Sequence, residues 1–221
     1  MIVAVSVHKG QKKSLKVGQR RVSTGINKIE VPGRSTIDKG GLLGDAICDD
    51  RHHGGVDQAI YIYRQEDYGF WQRQYRSVFP VGGFGENLVV SGLDANLMIG
   101  DRLIFEDLEL EISAPRIPCS VLGASVPHRD FSLAFQRAER PGFYCRVITP
   151  GTIGAGDVAQ LGRPYPNGKT VLDLYRANYA QLDEAELTAF LALPIDARTR
   201  KKFETKRSRL QSASDRLHRP R

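Results

Sequence analysis

Ile2, Ala4 and Ser6 alternate with Val3, Val5 and Val7, so both faces of the first segment carry apolar side chains. That pattern reads as a strand buried on both sides or as the opening strand of a barrel. Ala59–Tyr63 is a short apolar strand, and Tyr68, Trp71 and Tyr75 then recur at helical spacing through 64–75. Segments 97–105 and 108–114 read as a hairpin turned at Glu106-Asp107, because Leu108, Leu110 and Ile112 alternate with Glu109, Glu111 and Ser113. A helix is predicted over 131–138, and closing strands over 143–148 and 158–161, parted by Gly151, Gly154 and Gly156. Many short strands with glycine-rich turns point to a mainly β barrel with inserted helices. Ile99-Gly100-Asp101 and Ala155-Gly156-Asp157 echo each other before apolar strands and read as turn geometry.

The texture changes after 162–168, whose Gly, Pro and Asn make a linker. Val171, Leu174 and Tyr175 have helical spacing. Asp183 with Glu186 forms a capping box for a helix that Pro194 ends, and Asp196 can cap a third, basic helix. The predicted organisation is a barrel domain over 1–163 and a three-helix domain over 168–215. Such short helices must lean on a neighbour, being marginal alone in water.

With 221 residues and 41% hydrophobic content, the chain can bury a sizeable core. Its mean hydropathy of -0.34 is that of an ordinary soluble protein. The start reads as a strand and not a leader, since the apolar run stops at His8-Lys9, and no run is long enough to span a membrane. Cys48, Cys119 and Cys145 make no disulfide framework, which fits a reducing cytoplasm. Net charge is +7, with +8 of it in 198–221 and -1 in the remainder. The tail reads as a solvated basic helix; a nucleic-acid-binding domain is expected to carry a basic face on its body.

Three segments carry candidate chemistry. Pro115-Arg116-Ile117-Pro118-Cys119 sets a cysteine directly after a proline, which reads as a stiff loop tip, with a guanidinium three residues before it. A thiolate is a soft ligand or a nucleophile, although the pentapeptide alone reads equally as a buried structural cysteine. The stretch 41–57 has too many Gly, Asp and His residues for a regular element. Its core, His53-Gly54-Gly55, can bring backbone N–H groups close to an anion or serve simply as a glycine turn. Zinc held by Cys48, Asp49, Asp50, His52, His53 and Asp57 fits no usual ligand spacing. In Phe84-Gly85-Glu86-Asn87-Leu88, Glu86 and Asn87 can hydrogen-bond a heterocycle or satisfy turn backbone. Tyr68, Trp71 and Tyr75 read as core, and Cys48 and Cys145 as structural.

These segments, with Thr24-Gly25-Ile26-Asn27-Lys28, Gly41-Leu42-Leu43-Gly44-Asp45 and Ile99-Gly100-Asp101, occur in an order that resembles the MOSC (molybdenum-cofactor sulfurase C-terminal) domain family, closest to its YiiM-like branch. Each motif is weak, but six in sequence with a three-helix tail are specific. The resemblance implies a molybdenum cofactor of the molybdopterin type, with Cys119 at the metal-ligating position. Lys28 and Arg116 fall on the family's basic positions, His53, Gly54 and Gly55 on its HGG motif, and Asn87 on the polar island expected to touch the cofactor. A phosphate-ended cofactor wants a guanidinium fork and N–H donors, and molybdenum prefers a soft thiolate. One departure stands out: Gln58 sits where the family commonly has lysine.

The implied activity is reduction of N-hydroxylated compounds, such as 6-hydroxylaminopurine-type base analogues, with Cys119 and His53 as catalytic residues. The alternative is a non-catalytic molybdenum-cofactor carrier, or a sulfur carrier with a persulfide on Cys119. A nucleic-acid-binding barrel is disfavoured by the near-neutral body. The chain carries no flavin or dinucleotide fingerprint and too few cysteines for a cluster, so a separate electron-donor reductase is the expected partner. A small N-hydroxylated substrate, a cytoplasmic location, no membrane partner and no pyridoxal phosphate complete the expectation; a homodimer is left open.

Overall fold

The computed structural model describes residues 1–49 and 54–217, with side chains to 213. Its strands are β1 (Ile2–Lys9), β2 (Lys13–Val17), β3 (Arg20–Thr24), β4 (Ile29–Glu30), β5 (Ser35–Asp38), β6 (Gly41–Leu42), β7 (Ile60–Arg64), β8 (Leu88–Ser91), β9 (Arg102–Ile104), β10 (Glu109–Pro115), β11 (Phe143–Thr149), β12 (Gly151–Ile153) and β13 (Val158–Gly162). The helices are α1 (Gln65–Tyr75), α2 (Ser120–Ser125), α3 (Phe131–Ala138), α4 (Val171–Ala177), α5 (Glu184–Leu191) and α6 (Ala197–Leu217). Strands β13, β9, β10, β11, β7, β8 and β1 neighbour one another in that order, and β1 pairs again with β13, closing the barrel. Closure removes the free strand edges an open sheet would expose. Only β7–β8 is parallel within the ring; α1 carries the chain across between them.

The opening alternation is realised with one irregularity. Ile2 and Ala4 face the barrel interior, and a register shift between Ala4 and Ser6 lets Val7 join them while Val5 packs outside. A bulge of this kind inverts the inside–outside phase. The predicted strand over 97–105 shortens to β9. Asp101 is fully buried, takes the Met98 N–H at 2.9 Å and pairs with Arg163 at 3.0 Å, so Ile99-Gly100-Asp101 is a turn. Asp157 does the same for the Gly154 N–H at 3.0 Å. Both Gly-Asp pairs are turn geometry, as read from the sequence.

A second cluster outside the barrel gathers Tyr61, Tyr63, Tyr68, Trp71, Phe84, Phe131 and Phe135. Trp71 stacks on Phe135 with centroids 5.6 Å apart and donates its indole N–H to Tyr63 at 2.6 Å, so it is core, as its spacing implied. The hairpin β2–β3 carries exposed Lys13, Lys16, Arg20 and Arg21, and it packs against α2. The near-neutral body therefore holds a local basic patch that a total over 1–197 averages away.

Both capping boxes of the helical end are formed, by Thr170 with Asp173 and by Asp183 with Glu186. Asp196 accepts the N–H groups of Arg198 and Thr199, both at 3.2 Å, and so starts α6. Leu174, Leu187, Phe190 and Phe203 belong to the same continuous apolar cluster as the barrel interior. Among the described residues no helix is long and apolar enough to cross a membrane.

Phe203→Ala, which empties a fully buried site on α6, is expected to cost about 3–5 kcal/mol. Urea unfolding followed by far-UV circular dichroism and by the fluorescence of Trp71 should give one shared transition, displaced to lower urea. Separate transitions would show that the helical end does not share its stability with the barrel.

Candidate functional site

Four loops meet at one end of the barrel. The 41–49 loop brings Asp45, whose side chain is 5% exposed, into an ion pair with Lys28, 8% exposed. The same carboxylate accepts the Gly10 N–H at 2.6 Å and the Asn87 amide at 2.9 Å. Asn87 Oδ1 in turn accepts the Tyr61 N–H at 3.1 Å. Lys28 and Asn87, both expected to touch a cofactor, are thus first tied to Asp45. Burial, opposed by Asp45, holds the Lys28 pKa below that of an ordinary lysine. The Lys28 N–H reaches the Gly82 carbonyl at 2.8 Å, and a Cβ on Gly82 would collide with the Lys28 carbonyl, so this approach needs glycine.

Glu86 is fully buried and closes its own loop. It accepts the Gly82 N–H at 2.7 Å, the Phe84 N–H at 3.1 Å and the Tyr68 hydroxyl. Burial raises its pKa, and these donors oppose the rise. His8, which the sequence did not single out as a site residue, lies beside Gly82 and Lys28, 1% exposed and with Nδ1 unpartnered among the described residues.

Arg116 is the unusual member. It is 4% exposed, and neither Nε nor Nη1 has a hydrogen-bond partner among the described residues. Its guanidinium carbon lies 5.2 Å from the centre of the Tyr61 ring, a cation–π contact that leaves those donors unsatisfied. Burial pulls its pKa down, and Tyr144, Tyr61, Cys119 and Glu86 together more than offset that pull. Two unpaired donors on a buried cation are costly, and an anionic ligand oxygen is the natural acceptor for them. Cys119 stands just before α2, half-buried at a helix start rather than at a bare loop tip. Its carbonyl accepts the Gly123 N–H and the Ser132 hydroxyl, which fix its backbone. A half-exposed thiol next to an unsatisfied guanidinium fits a soft metal on an anionic cofactor.

His53 lies outside the described residues, as do Asp50 and His52 of the zinc set. Among the described residues no three His, Cys, Asp or Glu side chains converge as a metal site. Gly54 and Gly55 have φ of 69° and 80°, which few other residues tolerate. Cys145 is fully buried in the barrel, and burial pushes its thiol pKa up. The surprise is Arg198. From the first turn of α6, it donates to the Gly54 carbonyl at 3.1 Å and to Gln58 Oε1 at 2.9 Å. Arg198 thus places a positive charge beside Gln58 from a helix some 140 residues later, beyond the reach of any local motif.

The comparisons with known proteins put this barrel in the class of MOSC domains. The MOSC domain family model matches residues 49–160. An uncharacterized protein of Bacillus subtilis, YflK, is 31% identical over 186 residues, covering 84% of this chain and 83% of that one. A protein of Gibberella moniliformis named reductase is 32% identical over 161 residues, but the match spans 28% of its length. The crystal structure of YiiM from Geobacillus stearothermophilus superposes with a TM-score of 0.77 at 25% identity, covering 94% of this chain and all of that one. The chain belongs to the MOSC domain family. Within it, the chain is YiiM-like, barrel and helical end together.

His8 gives this end of the barrel a pH signature. Burial, with Lys28 adding to it and Glu30 opposing, holds the imidazole below its ordinary value of 6.5. As pH falls below 6.5 the unfolded chain takes the proton first, so this contribution is complete above 6.5 and is lost as pH drops through the lowered folded value. Urea midpoints between pH 7.5 and 5 should fall less steeply for His8→Gln than for the parent chain; equal slopes would remove His8 as the cause.

Proposed function

We propose that this MOSC protein is a molybdenum-cofactor-dependent reductase of N-hydroxylated compounds. The observation that carries the reading is the buried Arg116 with two unpaired nitrogens next to half-exposed Cys119. Bound there, the cofactor would supply two-electron, oxygen-accepting chemistry that the side chains lack. Cys119 would hold the metal through sulfur, and Arg116 would donate Nε and Nη1 to an anionic oxygen of the cofactor. The Gly54-Gly55 segment would offer backbone N–H groups, and Lys28, braced by Asp45, would add positive charge behind them. Cleavage of the N–O bond takes two electrons and two protons and releases an amine and water. The sequence has no flavin or dinucleotide fingerprint, so the electrons come from a separate reductase. The name of the Gibberella relative supports reduction as the reaction class.

Cys119→Ser should fold, because serine keeps the size of a half-buried side chain and the backbone carbonyl that accepts the Ser132 hydroxyl, and should lose molybdenum and activity together. The assay is metal content and turnover of 6-hydroxylaminopurine with an artificial reductant, in protein from a host that makes the cofactor. Normal metal content and activity in Cys119→Ser would refute the assignment. Metal retention by the parent chain without turnover would favour the carrier role instead.

Arg116→Ala should weaken cofactor binding by about tenfold or more, since it removes two donors and one charged hydrogen bond is worth about 1.5–3 kcal/mol. Arg116→Lys should recover part of it, since an ammonium cannot present a planar fork. Cofactor titration of the apo-chain, with circular dichroism as the folding control, measures both.

A further inference from the structure

The hairpin β2–β3 grows out of the site and carries its charge outward. At its base the Gly10 N–H donates to Asp45 at 2.6 Å, and the Gly10 carbonyl accepts the Ala46 N–H at 3.1 Å. Gly25, just past β3, lies so close to the Ala46 carbonyl that any Cβ there would overlap it. Farther along, β2 packs against α2, the helix that starts directly after Cys119, and Leu15 and Cys119 share one apolar cluster. The hairpin is therefore fixed to both halves of the site, the Asp45 network and the thiol segment.

Strand alternation divides the hairpin into two faces. Leu15 and Val22, paired and half-buried, make the packed face; Lys16 opposite Arg21 and Ser14 opposite Ser23 make the exposed one. Lys12, Lys13 and Arg20 are exposed as well, and the first acidic residue of the chain is Glu30. None of these five cations forms an ion pair among the described residues. Elsewhere the fold meets its arginines with carboxylates, as at Arg34, Arg102, Arg146 and Arg176. Like charges directly opposite across a strand pair are destabilising, so Lys16 and Arg21 fit a partner that brings the missing carboxylates.

Nucleic acid and lipid fit this surface less well. Residues 9–28 hold no aromatic side chain to stack on bases or to anchor among headgroups. The position beside the thiol favours a redox partner, because electrons must be delivered close to where the metal is held. Electron-transfer encounters also use small interfaces, and charge complementarity steers and orients them.

We propose that the exposed face of β2–β3 is the docking surface for the electron donor, a protein carrier with a carboxylate-rich face around its own redox group. Calling this partner the electron donor rests on the reductase reading; the affinity of the hairpin for an acidic protein face does not. Each N–O cleavage oxidises the carrier by two electrons in total, and solvent supplies the two protons.

The probe is an acidic plant-type ferredoxin, with basic cytochrome c as the control of opposite charge, titrated calorimetrically into the full chain as isolated. Ferredoxin should bind, more weakly as salt rises, and cytochrome c should not. Lys16→Gln/Arg21→Gln should weaken ferredoxin binding by about tenfold or more and flatten its salt dependence, with circular dichroism unchanged. Arg207→Gln/Arg209→Gln, which removes the same charge from α6, should leave the affinity within about twofold of the parent. In metal-loaded protein the hairpin variant should lose ferredoxin-driven turnover of 6-hydroxylaminopurine and keep turnover driven by reduced methyl viologen. No ferredoxin binding by the parent chain, an equal loss in the α6 variant, or ferredoxin-driven turnover that survives in the hairpin variant would each overturn the surface. Hairpin-dependent binding of a mixed-sequence oligonucleotide, tighter than that of ferredoxin, would overturn it too. Hairpin-dependent ferredoxin binding in metal-loaded protein that turns over with neither donor would instead overturn the reductase reading and leave the surface standing.

Discussion

The functional end of this molecule depends on one carboxylate. Asp45 holds Lys28, the Asn87 amide and the Gly10 N–H at once, and so joins the end of β1 to three separate loops. Each partner alone would be a buried polar group with an unpaid desolvation cost. Together they form a satisfied network, of the kind that fixes one arrangement over its alternatives. Arg116 sits beyond that network with donors left over. The contrast is informative: polar atoms are satisfied at Asp45 and Glu86, whereas Arg116 and Asp196 keep buried atoms with no hydrogen-bond partner among the described residues.

Much of the barrel was legible because its strands alternate or are wholly apolar, and that pattern survives in a linear reading. The helical end was legible through its caps, as Asp183, Glu186 and Asp196 act within three residues of their targets. The hairpin β2–β3 escaped because Lys13, Ser14, Lys16, Arg20 and Arg21 show water on nearly every face. The short helix α2 was hidden behind Pro118, where a stiff loop was the simpler expectation. Strand β9 was overdrawn because Leu97 and Ile99 are apolar; the buried Asp101 that turns the chain there interrupts the run.

The site was legible in its ingredients more than in its wiring. Arg116 and Cys119 could be singled out from five consecutive residues. That Asn87 and Lys28 lean on Asp45 could not, since 42 and 17 residues separate them from it. Nor could the arrival of Arg198 at Gln58. Gln58 read along the chain is an uncharged position; in space it carries the guanidinium of Arg198.

The Arg198 contacts join two parts of the molecule that a domain boundary treats as a unit and its appendage. The family match ends at residue 160, within the last barrel strand, whereas Asp196 and Arg198 lie beyond it. A barrel cut at that point would keep the thiol and the Arg116 guanidinium but lose the one that Arg198 brings to Gly54 and Gln58. Substitutions in the first turn of the final helix therefore reach the Gly54 to Gln58 segment while the barrel sequence stays untouched.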